Sequence, residues 1–198
     1  MIHKDRLRRL GARSDQPLDL FNWLAPSYWE VMGQLSTHED RHFEGTLRWL
    51  YLLPELNSWI VGLDSPNVLW ITALAGVGKS IIAAQLISTL TANEPDMYIV
   101  YFFCKDGDQK LTHAQNIVQT ISYQLALKNR GFREELERIR VQETFIVSPT
   151  LGIRLLYDRL VRQPLSLLEN ISKSQYVYCI IDGLDEASFH IKDGRTGV

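Results

Sequence analysis

The chain has 198 residues, 45% of them hydrophobic, and a formal net charge of −2. That supports one packed α/β domain with a small appendage and excludes a disordered chain. It also lacks the basic excess of a protein built around nucleic acid.

No run approaches the roughly 18 apolar residues that a membrane span needs. Residues 1–16 lack the apolar core of a secretory signal. Cys104 and Cys179 are too few for a disulfide framework and have no C-x-x-C spacing. Both sit in apolar runs, so buried free thiols in a reducing, cytoplasmic compartment are expected.

Residues 1–17 read as a loose polar tail, locally basic through Lys4, Arg6, Arg8, Arg9 and Arg13. Leu18–Met32 carries Leu20, Phe21, Trp23, Leu24, Tyr28, Trp29 and Val31, broken by Pro26. It reads as one or two short helices packed on the main domain. His38-Glu39-Asp40-Arg41-His42 matches H-E-x-x-H, a zinc-helix spacing. Charged Asp40 and Arg41 and the absence of a third ligand favour a solvated, charged helix start. Gly45–Gly62 is apolar and Trp-bearing, with Pro54 suited to the first turn of a short helix. It reads as a hydrophobic brace, or as a wall of a base pocket. Asp64-Ser65-Pro66-Asn67 reads as a turn.

Val68–Thr72 reads as a buried strand, followed by a small-residue loop, Gly78-Lys79-Ser80 and an apolar helix from Ile81 to Leu90. This order makes a phosphate cradle. Glycines turn backbone N–H groups inward, and the helix N-terminus adds partial positive charge. Ala73, Ala75, Gly76, Val77, Gly78, Lys79, Ser80 and Ile81 would line it. Lys79 would reach the β- and γ-phosphates, and Ser80 would hold Mg²⁺. The strict pattern has glycine where Ala73 stands, which is tolerable if Ala73 keeps a negative φ.

Ala92–Asp96 reads as a turn and Met97–Cys104 as a strand covered on both faces. Lys105–Leu111 reads as a polar loop. Thr112 with Gln115 reads as a capping box for a helix to Leu127, stopped near Gly131. Phe132–Gln142 and Thr150–Arg162 repeat helical spacing, the latter ending before Pro164. Leu165–Ile171 is a shorter helical piece. Tyr176–Ile181 reads as another buried strand, ending in Asp182-Gly183-Leu184-Asp185-Glu186. An acidic residue at the carboxyl end of a parallel strand faces the crevice where α/β sheets bind ligands. Asp182 there suits Mg²⁺, and further carboxylates can polarise an attacking water.

ALAGVGKS followed by CIIDGLDEA resembles the NACHT group of signal-transduction P-loop NTPases. RHFEGTLRWLYLLPELNSWI and YIVYFFCKDGDQKLTHAQNIVQTISYQL look like the nephrocystin-3-like N-terminal domain, common in large fungal proteins similar to NOD-like receptors. The likeness runs from about Trp23 to Ala187. It implies a three-layer α/β sandwich with a parallel sheet and Mg²⁺ with ATP or GTP as ligand. It also implies slow hydrolysis used as a switch, and protein partners contacted through further regions. By position, Asp182 would serve the metal, and Glu186, with Asp185 as rival, would activate water. The resemblance divides the chain into a tail (1–17), a helical brace (18–62) and the NTPase domain (63–198). In such domains a further strand lies between the cradle strand and the acidic strand. Ala187–Val198 is too polar to be that strand, so the sheet is expected to be incomplete. A binding or scaffold module without turnover is the competing expectation.

Overall fold

The computed structural model describes residues 17–43, 45–61, 68–94, 97–143, 146–147, 151–168 and 177–188. The expected tail, the turn at Asp64–Asn67 and the segments 169–176 and 189–198 lie outside the described residues. The fold is mostly helical around a small parallel sheet, in keeping with an α/β character.

Helices α1 (Leu18–Leu24) and α2 (Tyr28–Asp40) open the described chain, separated at Pro26 as expected. A 3-10 turn (Arg48–Leu52) leads to α3 (Pro54–Val61), which begins on the predicted proline. Helix α4 (Lys79–Asn93) precedes strand β1 (Tyr98–Phe103). Then come α5 (Gln109–Thr112), α6 (Ala114–Lys128), α7 (Arg130–Gln142) and α8 (Ile153–Tyr157). A π-helical turn (Asp158–Arg162) joins α8 to α9 (Gln163–Ser166), and β2 (Val177–Asp182) ends in a 3-10 turn (Leu184–Glu186).

Strands β1 and β2 pair in parallel, with Tyr98 opposite Val177 and Phe103 opposite Asp182. Side chains alternate along a strand, so Ile99, Tyr101 and Phe103 share a face with Tyr178, Ile180 and Asp182. On that face α2 lays Met32, whose sulfur accepts the Tyr101 hydroxyl at 2.9 Å. Helix α3 sets Trp59 edge-on against Tyr178, ring centres 5.1 Å apart. Ile82 and Leu86 of α4 cluster there with Leu50 and Leu56, with Ile180 and Leu69 packed against them.

The main core joins α1 and α2 to β1, α6 and α7 through buried Leu20, Leu24, Val31, Phe102, Leu125 and Phe132. Each such side chain taken from water contributes about 1.5–3 kcal/mol. The first two helices are thus part of the domain's own core. Helix α6 is buried nearly all round, and its polar side chains are bonded inward. Thr120 Oγ1 accepts the Ser27 N–H at 2.9 Å. The Gln124 amide accepts from the Tyr101 N–H at 2.8 Å and donates to the Tyr101 carbonyl at 3.0 Å. Lys128 Nζ donates to the Ile99 carbonyl at 2.6 Å. Residues 99 and 101 present their backbone to the same edge, so these two side chains cap the outer edge of β1. Among the described residues no strand pairs with the far edge of β2.

Several expectations are corrected. Val68–Thr72 is not a strand: it lacks strand pairing, and Val68 (69% exposed), Trp70 (70%) and Ile71 (40%) face solvent. Its apolar pattern is strand-like, but a strand exists only through hydrogen bonds to a neighbour. The Thr112–Gln115 capping box does not form. Thr112 Oγ1 donates to the Lys105 and Asp108 carbonyls, and Gln115 donates to the Leu151 carbonyl. Gly131 does not stop a helix. Asn129 makes the break, its Oδ1 accepting from the Phe132 N–H and so capping α7. Pro164 does not end the helical run either. The wider π turn before it accommodates a residue with no N–H to give. His38–Asp40 end α2 and Arg41 and His42 follow it, so the segment is not the start of a helix.

Candidate functional site

The loop before α4 turns at its two glycines. Gly76 (φ +80°) and Gly78 (φ +97°) take left-handed conformations that a side chain would strain. Ala73 is not among the residues of positive φ, so alanine sits at that position without left-handed strain. Gly78 opens α4, and no side chain caps the helix. The first-turn N–H groups of Lys79, Ser80 and Ile81 are therefore the donors a helix start leaves for an outside acceptor. Lys79 Nζ donates to the carbonyls of Ala73 (2.9 Å) and Leu74 (3.1 Å), folding the lysine back over its own loop. Ala73 to Val77 are exposed and Gly78 to Ile81 half-buried.

The acidic turn is organised around Gly183, which adopts φ +68°. The Asp182 carbonyl accepts the Cys104 N–H at 2.9 Å, which carries the ladder one residue beyond β1. Glu186 Oε2 accepts the Asp106 N–H at 2.8 Å. Past the turn, Ser188 bridges to His113: its N–H donates to the Thr112 carbonyl at 2.7 Å. The loop after β1 and the turn after β2 are thereby laced together. Cys104 lies between them, and burial pushes its thiol up to about 12, helped by the charges of Asp182, Glu186 and Asp185. The three predicted acids are therefore gathered at one end of the sheet. Asp182 is half-buried, and Asp185 and Glu186 are exposed.

The cradle and the acidic turn are related through α4, which begins at the loop and packs on both strands. Among the described residues no ion pair joins Lys79 to an acidic side chain. The Ser80 hydroxyl and the Asp182 carboxylate are each hard oxygen donors of the kind Mg²⁺ takes.

One side chain at this end was read otherwise from sequence. The His38 ring lies on Phe103, centres 5.3 Å apart and planes tilted 37°. Burial lowers its pKa, opposed by the Asp182 charge and assisted by Arg41 and Lys105. Glu39, the next residue, accepts a hydrogen bond from the Ser88 hydroxyl of α4. Expected as a solvated, charged helix start, the segment instead packs the His38 ring on Phe103 at the end of α2.

Residues 45–194 match the family model described as "Nephrocystin 3, N-terminal". Over 142 residues the chain is 22% identical to the vegetative incompatibility protein HET-E-1 of Podospora anserina, covering 70% of this chain and 10% of that protein. The chain thus spans about a tenth of the length of this curated relative. No solved structure matches it. The family match covers most of the chain, including both the cradle loop and the acidic turn, and on it the chain belongs to the nephrocystin 3 N-terminal family.

Proposed function

We propose that this chain is a nucleoside-triphosphate-binding module of the NACHT-type P-loop class, the nucleotide-responsive part of a larger signalling protein. ATP or GTP would place its phosphates in the loop from Ala73 to Ser80. Lys79 would exchange its carbonyl partners for phosphate oxygens, and Ser80 and Asp182 would hold Mg²⁺. Glu186, or Asp185, would polarise water. The observation that carries this reading is the loop itself: two left-handed glycines lead into a helix start with no side-chain cap, under a lysine that donates to loop carbonyls. The shared stretch with HET-E-1 supports a role in signalling. On this reading the two strands belong to a larger three-layer P-loop sheet.

A second reading, a scaffold that binds without turnover, is favoured by two observations. Glu186 is engaged by the Asp106 N–H, and Val68–Thr72 carries no strand partner among the described residues. Equilibrium binding of fluorescent ATP and GTP with and without Mg²⁺, alongside phosphate release, separates the two. We expect Mg²⁺-dependent binding that Lys79→Ala abolishes with little change in melting temperature, and little turnover. Binding unaffected by Lys79→Ala would overturn the assignment of the loop.

A further inference from the structure

We propose that His38 is a further residue of this nucleotide site, one that distinguishes a Mg²⁺-bound triphosphate from a diphosphate. The inference rests on the nucleotide reading above and extends it to a helix upstream of the family match, which begins at residue 45.

The argument is geometric. Phe103 and Asp182 are register partners at the ends of the two strands and project to the same face. His38 lies on Phe103, which places an imidazole over the end of the sheet where Asp182 stands. The charged groups around it come from three elements: Arg41 just past its own helix, Lys105 beyond β1 and Asp182 of β2. Neither ring nitrogen has a hydrogen-bond partner among the described residues, so a donor stands half-buried and unspent.

The helix that carries the ring is anchored from several directions. Met32 takes the Tyr101 hydroxyl, Ser27 Oγ donates to the Lys110 carbonyl at 2.6 Å, and Glu39 takes the Ser88 hydroxyl of the helix that starts at the cradle. Helix α2 is thus tied to β1, to α5 and to α4. A donor on Phe103, at the sheet end that carries Asp182, meets the outermost phosphate or the water shell of its cation. It does not meet the inner phosphates that the loop itself would hold.

The test uses the full chain and four probes, ATP, ADP, GTP and GDP, each with Mg²⁺, in equilibrium binding. His38→Ala should weaken binding of the preferred triphosphate about tenfold, the worth of one hydrogen bond to a charged group. It should leave the matching diphosphate within about twofold on the same scale. His38→Gln, which keeps an N–H donor, should recover most of the loss, with unchanged melting temperature in both variants. Equal weakening of tri- and diphosphate, or no weakening of either, overturns the role of His38 while leaving the nucleotide reading intact. Wild-type chain that binds none of the four probes overturns both.

Discussion

A methyl group added at Gly183 would come within 2.9 Å of the Cys104 carbonyl oxygen. That oxygen is backbone, fixed by the strand pairing just before it, and cannot swing aside as a flexible side chain would. Gly183 also sits at φ +68°, so two independent constraints exclude a side chain between Asp182 and Leu184. The small residue in the acidic motif therefore has a physical cause: it lets the turn after β2 lie directly on the turn after β1.

Gly183→Ala should lower stability by roughly 1–3 kcal/mol, from backbone strain with a contact that must open. Gly107→Ala is the comparison: its φ is +77°, but nothing lies within 4 Å of an added Cβ. It should cost about 1 kcal/mol, from strain alone. Urea midpoints measure both. Equal losses would show that the contact with Cys104 adds nothing.

Gln124 stands in for a neighbouring strand at Tyr101, accepting from its N–H and donating to its carbonyl. Gln124→Leu keeps the bulk and removes both bonds. The variant should lose about 2 kcal/mol, since each unpaired buried backbone group costs about 1–3 kcal/mol where water cannot reach it. Amide exchange at Tyr101 should accelerate, and the uncapped edge should scatter more light on concentration. An unchanged exchange rate at Tyr101 would refute the edge-capping role.

The two cysteines differ in their exposure. Cys104 is buried, whereas Cys179 is exposed on β2. Burial nonetheless pushes the Cys179 thiol up to about 11. The thiolate is the reactive form, so at pH 8 only about one Cys179 in a thousand is ready to react. Iodoacetamide should label Cys179 slowly, the rate rising about tenfold per pH unit from 7 toward 10. Cys104 should stay unlabelled until the chain unfolds. Labelling at Cys104 as fast as at Cys179, or a flat pH profile at Cys179, would contradict this arrangement.

Some of the molecule was legible in the residues. The run at Met97–Cys104 became β1, a largely buried strand as its continuous apolar stretch suggests, and Tyr176–Ile181 became β2, but with Cys179 and Ile181 exposed rather than buried. Pro54 and Pro26 marked helix boundaries by the geometry of their rings. The glycine loop was legible in its conformation, since Gly76 and Gly78 stand where φ is positive. Other features were not. Val68–Thr72 has strand composition without a strand's partner, and pairing is settled between segments rather than within one. Thr112 and Gln115 have the spacing of a cap, but each found a carbonyl elsewhere that the local pattern does not contain.

Length, charge and local spacing by themselves determined the α/β character, the two strands, the glycine loop with Lys79 and the acidic turn. Those follow from side-chain volume, from period and from the φ that glycine allows, all properties of neighbours in the chain. Only the tertiary structure decided that Gln124 and Lys128 close one edge, that Cys104 excludes a side chain at Gly183, and that His38 stands over Phe103. Each of these joins residues distant in sequence. Such contacts exist because a shared core places their elements side by side.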